Sequence, residues 1–317
     1  MIKIAVIGAG HFGREHARIY STLESARLVA VCDIDESNGQ AVANRYGADF
    51  VTDYRELIGK VDAVSLTVPT VSHHSIACEM LNARVAVLVE KPIARTLEEA
   101  DEIIATAERN HAVLQIGHLE RFNPAVIAAS RIATQPRFFE AHRLSVFTPR
   151  SLDIDVVMDL MIHDLDVVLS LVKSDVIEVR AAGVPILTPR IDIANARIEF
   201  ENGCVANLTA SRVSAERIRK LRFFQPHEYV SIDYSAQEAA TVAVRQSEEG
   251  KLKLESRLLP VEAAEPLRLE IESFLQAVVG APVSVSGLEG RRALALAAGI
   301  VERIRWQAER AGVPFAG

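Results

Sequence analysis

The sequence predicts an α/β protein with two parts, a doubly wound parallel sheet followed by a domain with a large open, mostly antiparallel sheet. Up to about residue 117, short β-branched runs alternate with longer amphipathic stretches, and several of the runs are apolar at nearly every position. From about residue 138 the pattern changes to strict apolar–polar alternation. A length of 317 residues suits two domains, which we place at 1–117 and 118–317.

The first domain is predicted to contain five parallel strands with helices between them. Continuously apolar strands are typical of a parallel sheet that is covered on both faces. Thr96 precedes an amphipathic stretch and is a suitable N-cap for a helix over Leu97–Arg109. The predicted strands are Lys3–Ile7, Leu28–Cys32, Ala63–Val68, Val85–Val89 and Val113–Ile116.

The second domain contains a clear hairpin. Apolar and polar residues alternate over 194–200 and again over 204–210, and Asn202-Gly203 between them supplies the turn. The other predicted elements are helices at Val156–Val172, Leu267–Val279 and about 287–310, and strands at Ile218–Phe224, Tyr229–Tyr234, Thr241–Arg245 and Leu252–Leu258. The last helix can fold back on the first domain.

Composition excludes several classes of protein. Thirty-five basic against 42 acidic residues give a net charge of −7, and aromatic residues make up only 5%, so a general nucleic-acid binder is not expected. The apolar stretches are too short to insert in a membrane. Three well-separated cysteines without a CxxC pair predict no zinc site, and with no secretory signal they favour the cytoplasm.

A glycine-rich motif marks the first strand. The segment Gly8-Ala9-Gly10-His11-Phe12-Gly13 follows that strand and opens a helix, and Asp33 ends the second strand. Such glycines allow a tight turn, the approach of a pyrophosphate and close helix packing, while the acid binds ribose hydroxyls. The alternative is a glycine turn without a nucleotide. Asp35 and Glu36 would repel a 2′-phosphate, so NAD is favoured over NADP.

Lysine is scarce in this chain, with only seven, and Lys91 lies in a chemically suggestive place. Glu90-Lys91-Pro92 follows the fourth strand, at the edge where ligands of open α/β sheets bind. The Lys91-Pro92 bond can be cis, which would direct the lysine back over the sheet. The alternative is a solvated lysine near a turn.

The segment from Thr67 to His74 follows the third strand and enters a helix, so it is a candidate wall of the cofactor crevice. His73 and His74 could equally be exposed residues at the start of that helix. The predicted cofactor contacts are Gly8, Gly10, His11, Phe12, Gly13, Asp33, Ile34, Pro69, His73, Glu90 and Lys91.

Asp159 and His163 are four residues apart on the predicted helix 156–172, so they would share one of its faces. Asp164 and Asp166 follow on the same apolar helix. Buried charges there would cost several kcal/mol unless they are functional or paired. We favour a catalytic over a structural role for His163, and no third ligand falls at metal spacing.

Polar residues are also dense at the domain junction, 117–124. Arg121 there contacts the substrate or braces the junction. The basic segment 217–222 looks in isolation like a nucleic-acid patch. We prefer the solvent face of an edge strand, and a third interpretation is a contact to the pyrophosphate of a nucleotide-linked substrate.

Five motifs in order resemble the Gfo/Idh/MocA oxidoreductases over nearly the whole chain. They are the glycine motif, the acid after the second strand, EKP at 90–92, RFNP at 121–124 and Asp159-x-x-x-His163-x-x-Asp166. The resemblance implies a Rossmann domain followed by an α/β domain whose open sheet commonly forms a dimer or tetramer, so we expect a homodimer or homotetramer. It also implies that Lys91, Asp159 and His163 form the catalytic trio.

Three further segments are similar to a bacterial branch of this family that oxidises the 3-hydroxyl of UDP-N-acetylglucosamine to a 3-keto sugar for later amination in lipid A assembly. The segments are GHLERFNPAV, IHDLDVVLSLV and EFENGCVANLTASR. The chain departs from common family patterns at Val156-Val157 and Met161, where many members have glycine, but the trio is intact.

The hypothesis is therefore hydride transfer from a secondary alcohol carbon of a sugar or nucleotide sugar to NAD. His163 is the preferred general base because an ordinary imidazole pKa of about 6.5 suits neutral pH, whereas lysine, at about 10.4, would need strong depression. Lys91 would then stabilise the alkoxide, and Asp159 would orient His163 or hold Lys91. The alternatives are a dehydrogenase of a free sugar or inositol, and a non-catalytic NAD-binding regulator.

The predicted substrate contacts are Lys91, Glu120, Arg121, Asn123, Arg143, Asp159 and His163. His142, Arg143 and Arg212 are candidates for contacting a nucleotide moiety.

Overall fold

The computed structural model describes residues 1–148, 154–246 and 252–312. The chain divides into two compact units. Unit 1 contains residues 1–119 and 265–294, and unit 2 contains residues 120–264 and those from 295 onward. The sequence predicted a single boundary after residue 117, whereas the chain returns to unit 1 at Glu265 and leaves it again within the last helix. The functional domain boundaries stay a prediction.

The regular elements follow in chain order. The strands are β1 Ile2–Ile7, β2 Ala26–Cys32, β3 Asp49–Val51, β4 Ala63–Leu66, β5 Ala86–Glu90, β6 Leu114–Gly117, β7 Phe138–Leu144, β8 Val176–Val184, β9 Ile193–Phe200, β10 Val205–Ser211, β11 Ile218–Gln225, β12 Glu228–Asp233, β13 Glu238–Gln246 and β14 Leu252–Leu258. The helices are α1 His11–Tyr20, α2 Glu36–Tyr46, α3 His73–Asn82, α4 Leu97–Asn110, α5 Pro124–Ser130, α6 Ile162–Val172, α7 Pro266–Val278 and α8 Gly287–Arg310.

Unit 1 is built on a six-stranded parallel sheet with the order β3-β2-β1-β4-β5-β6. The strand order reverses between β1 and β4, as in a doubly wound sheet, so the predicted fold of the first part is confirmed. The predicted N-cap of α4 is also confirmed, because the Thr96 side chain accepts a hydrogen bond from the Glu99 amide at 3.2 Å. Strand β3 was not predicted, because it is only three residues long and begins with an exposed aspartate.

Helix α7 belongs to unit 1 because its apolar face packs on the parallel sheet. Leu267, Ile271 and Phe274 recur at helical spacing and share one buried core with Ile4 and Val6 of β1. The return of the chain therefore completes the cover of a sheet that would otherwise expose apolar side chains.

Unit 2 contains an eight-stranded sheet with the order β14-β13-β12-β11-β7-β10-β9-β8. Only β7 and β10 run parallel, so the prediction of a mostly antiparallel sheet is confirmed. The β9–β10 hairpin turns at Gly203, whose φ of +80° is readily available to glycine. The amide of Gly203 donates to the Phe200 carbonyl at 2.9 Å, which closes the turn.

Strands β7 and β8 were not predicted. Because β7 pairs with β11, the basic segment 217–222 does not lie where the sequence suggested. Strand β11 was expected at an edge, but it lies between β12 and β7, so that expectation is wrong. Its open face carries Lys220 and Arg222, which pair with Asp233 at 3.3 Å and Glu140 at 2.5 Å. The pattern of β7 is hard to recognise because Arg143 occupies a buried position in it.

The helix predicted over 156–172 is not regular. Residues Val157–Met161 form a π-helical turn, and the α-helix α6 begins only at Ile162. Within the described residues, no helix combines the length and the apolar character needed to cross a membrane.

Candidate active site

The glycine turn lies at the carboxyl ends of β1 and β4, where the strand order of unit 1 reverses. Gly8 has a φ of +99°, and a Cβ on it would lie 2.8 Å from the backbone of Thr67. A Cβ on Gly13 would lie only 1.7 Å from the Gly8 carbonyl oxygen. Both positions therefore require glycine, one for the turn and the other for the close packing of α1 on it.

Gly10 differs because the space around it is open. Among the residues that the structure describes, a Cβ there would meet no atom within 4 Å and no side chain caps the start of α1. The first amides of the helix are thus available to an anion, and the helix dipole favours one there. This open approach fits the pyrophosphate of a dinucleotide, and the exposed side chains of His11 and Phe12 border it.

Asp33 is held against the glycine turn. Its Oδ2 accepts from the Ala9 amide at 2.5 Å and its Oδ1 from the Asp35 amide at 2.8 Å. The next residue, Ile34, is 94% exposed. Arg14, which the sequence analysis did not name, donates to the Ala9 carbonyl at 3.3 Å and to Asn38. It lies one helical turn after Gly10, so α1 brings a cation close to this acidic segment.

His73 joins two loops of unit 1. It is buried, with Nδ1 3.0 Å from the Pro92 carbonyl oxygen and Nε2 3.0 Å from that of Val68. Burial lowers the pKa of His73 below its ordinary value. The interpretation of His73 as an exposed helix-start residue is wrong, whereas His74 is partly exposed and pairs with Glu102. His73 thus fixes the turn after Lys91, whose bond to Pro92 is cis.

Glu90 ends β5 and has a partner that sequence spacing did not reveal. Its Oε1 lies 3.1 Å from Nε2 of the fully buried His16 on α1. Glu270 of α7 completes the group, since the potential ligand atoms of the three side chains lie within 4.8 Å of one another. Gly117 of β6 leaves room for Glu90, because a Cβ there would lie 3.1 Å from its carboxylate. These contacts hold the strand end that carries Lys91.

Asp159 and His163 both belong to unit 2. Asp159 lies within the π-helical turn and His163 is the second residue of α6, and both are half-buried. The four-residue spacing was interpreted for a regular α-helix, and the wider turn makes that argument inapplicable to this pair. Single π-helical turns occur frequently at functional sites, so the irregularity itself marks this segment.

A buried network fixes α6 from the sheet side. Arg143 donates from Nε and Nη2 to the two carboxylate oxygens of Asp164, at 2.7 and 2.9 Å, and from Nη1 to Glu120 at 2.9 Å. The ring of Tyr234 lies 4.9 Å from the guanidinium. Asn123 donates to Glu120 at 3.3 Å and caps α5. Through Asp164, the network reaches the residue that directly follows His163.

Glu120, Asn123 and Arg143 were predicted to contact the substrate, and the structure places all three in this network. Arg121 lies 3.5 Å from Asp166. Asp164 and Asp166 of the apolar helix are therefore each paired with an arginine. This pairing offsets the expected cost of burying their charges. The geometry favours positioning of α6 as the role of Arg143, and the predicted substrate contacts stay predictions.

The two other nucleotide candidates lie in different surroundings. His142 is exposed on the open face of the sheet. Arg212 is buried, donates to the Ile154 carbonyl at 2.5 Å and lies 3.9 Å from Asp192.

A doubly wound parallel sheet with an open glycine turn and an acid after its second strand is the arrangement of a dinucleotide-binding domain. Residues 2–118 match the family model described as the oxidoreductase family with an NAD-binding Rossmann fold, and residues 128–224 match the GFO/IDH/MocA C-terminal domain. The chain therefore belongs to the Gfo/Idh/MocA oxidoreductases, and the predicted family is confirmed.

The chain is similar to several known members. It is 38% identical over 302 residues to UDP-N-acetylglucosamine 3-dehydrogenase from Acidithiobacillus ferrooxidans, covering 93% of this chain and 95% of the relative. A solved structure of that enzyme has a TM-score of 0.89 at 37% identity, with 96% and 97% of the two chains covered. Inositol 2-dehydrogenase from Rhizobium meliloti is 26% identical over 333 residues, covering 96% and 97%.

Proposed function

We propose that the protein is an NAD-dependent dehydrogenase that oxidises the 3-hydroxyl of UDP-N-acetylglucosamine to a 3-keto nucleotide sugar. The observation that carries this proposal is the 38% identity over 93% of the chain to an enzyme of that name. The lysine after β5 and the Asp159–His163 segment, which the family resemblance marks as catalytic, are all present.

Bound NAD supplies the hydride acceptor at its nicotinamide C4. The open start of α1 at Gly10 receives the pyrophosphate, and Asp33 accepts hydrogen bonds from the adenosine ribose hydroxyls. A 2′-phosphate would meet the negative charge of this acid, so we assign NAD rather than NADP. Arg14 is a nearby cation that opposes the assignment, and it is already engaged with Asn38.

In the proposed reaction, His163 removes the hydroxyl proton and Lys91 donates a hydrogen bond to the same oxygen as negative charge develops on it. Asp159 orients His163 or holds Lys91. The buried Arg143–Asp164 pair fixes α6 next to the base. The proposal requires residues of both units to act on one hydroxyl group, and this requirement is tested with the variants discussed below.

A deuterium-transfer experiment tests the carbon that is oxidised. The purified protein is incubated with NAD and UDP-N-acetylglucosamine deuterated at C3, and the deuterium content of the recovered NADH is measured by mass spectrometry. We expect one deuterium in the reduced cofactor and a primary isotope effect, whereas substrate deuterated at C4 should give neither. Transfer from C4 instead of C3, or no turnover of the nucleotide sugar, would contradict the proposal.

A substrate panel separates the alternatives. Free N-acetylglucosamine, glucose and myo-inositol are compared with the UDP-sugar at equal concentrations, with NAD and with NADP. Preferred turnover of a free polyol would replace the proposal with a sugar or inositol dehydrogenase. NAD binding without turnover of any compound would favour a non-catalytic regulator.

A homodimer or homotetramer is part of the proposal. Strand β14 forms one edge of the large sheet, and its leucines 252, 254 and 258 are each at least 69% exposed. Covering such an apolar edge with a second copy would remove it from water. Light scattering coupled to gel filtration should give twice or four times the mass of 34.7 kDa.

The free cysteines are compatible with the proposed cytoplasmic location.

A further inference from the structure

Arg219 is a basic residue of β11 that none of the interactions above employs. It lies directly opposite Arg143 of β7 in the antiparallel pair, so the two side chains share one face of the sheet. This is the covered face, which also carries the buried Leu221 and Phe223. Lys220 and Arg222 point to the open face and have acidic partners there.

The guanidinium of Arg219 is partly buried and incompletely bonded. Its Nε is shielded from solvent and has no hydrogen-bond partner among the residues that the structure describes. Burial lowers the pKa of Arg219, and the nearby positive charges of Arg143 and Arg217 lower it further. Arg143 is compensated by Asp164 and Glu120, whereas a charged donor left without an acceptor is costly.

The location connects this arginine with the proposed site of chemistry. Arg143 is bonded to Asp164, and Asp164 follows His163 on α6. Within unit 2, Arg219 is therefore separated from the proposed base by one buried ion pair. A diphosphate joined to C1 of a sugar lies only one ring away from the 3-hydroxyl, so the residues that bind it are expected close to the proposed base.

We propose that Arg219, assisted by the exposed Arg217, binds the diphosphate of the nucleotide-sugar substrate. The inference rests on the proposed function, because it assumes that a nucleotide sugar is the substrate. A guanidinium has several N–H donors in a planar fork that matches phosphate oxygens, and an anion would satisfy the donor that the fold leaves open. With a net charge of −7, the protein depends on such local cations to attract an anionic substrate.

A second basic region of unit 2 is less suitable. A cavity of about 600 Å³ is lined by Arg121, Arg137 and Lys173, among others. Lys173 caps the far end of α6, about 15 Å from His163 at the helical rise per residue. Arg137 already donates to the Asn202 carbonyl at 2.9 Å. Because the cavity extends to the end of α6 opposite to the proposed base, it is the weaker candidate for the diphosphate.

The test compares Arg219→Met with Arg222→Met as a matched control. Both residues are arginines of β11, but Arg222 lies on the open face and pairs with Glu140. Binding of UDP is measured by titration calorimetry, and turnover of UDP-N-acetylglucosamine is measured with saturating NAD. Arg219→Lys and Arg217→Ala keep the test usable if Arg219→Met lowers the folded fraction, which is checked by thermal unfolding.

For Arg219→Met we expect the Kd for UDP and the KM for the UDP-sugar to rise about tenfold or more, the size of one lost charge-assisted bond, with kcat changed less than threefold. Arg219→Lys should lie between it and wild type, Arg217→Ala should weaken UDP binding about two- to fivefold, and Arg222→Met should match wild type. The weakening should shrink at high salt. Unchanged UDP binding in folded Arg219→Met and Arg217→Ala proteins would overturn the inference, as would an equal loss in Arg222→Met.

The wild-type protein distinguishes the two proposals. If it binds UDP but does not oxidise the UDP-sugar, the proposed function fails, while the comparison of UDP affinities still judges the arginine site. If it oxidises the UDP-sugar and all variants bind UDP equally, only the arginine site fails.

Discussion

Arg143 holds Asp164 in the interior of unit 2 through two parallel hydrogen bonds of 2.7 and 2.9 Å. The pair joins β7 to α6 at the residue after His163. Because this ion pair holds Asp164 in place, we expect the adjacent His163 to lose little entropy when it acts on a substrate. The pair is therefore suited to pre-organise the proposed base.

Replacing Arg143 with lysine should therefore impair both folding and turnover. Lysine keeps the charge but cannot bind Asp164 and Glu120 in the same planar geometry, which leaves carboxylates buried and incompletely paired. We expect the free energy of unfolding in urea to fall by about 3–5 kcal/mol, the range found when buried pairs are broken. Arg180→Lys, in an exposed pair with Glu178, should change it by less than about 1 kcal/mol. Equal changes would show that the buried pair is not special.

Gly10→Ala should weaken NAD binding without affecting the fold. A Cβ at Gly10 meets nothing within 4 Å in the protein, but it would occupy the space through which the pyrophosphate approaches the start of α1. We expect the Kd for NAD, measured by fluorescence titration, to rise about tenfold or more, as for the loss of a charge-assisted contact.

Gly299→Ala in α8 is the matched control, because a Cβ there is also free of contacts. It should leave the Kd for NAD unchanged and raise the free energy of unfolding by about 0.5–1 kcal/mol, as expected for alanine in a helix interior. If Gly10→Ala bound NAD as wild type does, the glycine turn would not be the pyrophosphate site.

The sequence predicted the elements whose signals are local. The parallel strands of unit 1, the Thr96 cap and the turn at Gly203 follow from residues that are adjacent or nearly adjacent in the chain. The glycine motif was also predictable, because close backbone contacts require glycine at positions 8 and 13, and Gly10 keeps the approach to the start of α1 open. These features need no knowledge of partners that are distant in sequence.

The parts that sequence did not reveal depend on distant pairing. Arg143 finds Asp164 21 residues later, and this pairing lets a charge occupy a buried strand position that the alternation pattern excludes. His16 meets Glu90 across 74 residues. The π-helical turn before α6 has no local composition signal, so the expected face shared by Asp159 and His163 was argued from the wrong helix geometry.

Lys91→Met and His163→Asn test the proposed catalytic groups. Each substitution removes a group that would act on the substrate hydroxyl, so kcat should fall about a hundredfold or more. The Kd for NAD of His163→Asn should be unchanged. In the double variant the losses in kcat should be far from additive. When two residues act together in one step, removing either of them already abolishes most of their joint contribution. Full turnover in either single variant would refute the assignment.

Folding stability should depend on pH through His73. Its pKa is lowered by burial in the folded protein, whereas the unfolded chain takes up the proton near the ordinary value of 6.5. Below about pH 6.5 the unfolded state binds more protons, so the free energy of unfolding should decrease as the pH falls and level off only below the folded pKa.

His73→Asn should reduce the slope of unfolding free energy between pH 7.5 and 5.5, measured by urea denaturation in steps of half a pH unit. His74→Asn is the matched control, because it makes the same substitution at the neighbouring, more exposed position. If the slope persisted in His73→Asn and disappeared in His74→Asn, the pH dependence would arise from His74 and the prediction would be wrong.

Cofactor preference should depend on the charge at Asp33. The carboxylate lies against the Ala9 amide, where it can accept from ribose hydroxyls and repel a 2′-phosphate. In Asp33→Ser we expect kcat/KM with NAD to fall about tenfold or more and kcat/KM with NADP to rise, because a hydrogen-bonding charge is lost and a repulsive one removed. Arg14, which lies next to the glycine turn, is then expected to face the 2′-phosphate.

Arg14 provides the second half of this test. Arg14→Gln alone should leave the preference for NAD intact, since Arg14 is directed to the Ala9 carbonyl and Asn38. Arg14→Gln combined with Asp33→Ser should lose most of the gained NADP activity, because the positive charge of Arg14 next to the glycine turn would be absent. If the ratio of kcat/KM for the two cofactors is the same in wild type and Asp33→Ser, the preference for NAD arises elsewhere in the chain.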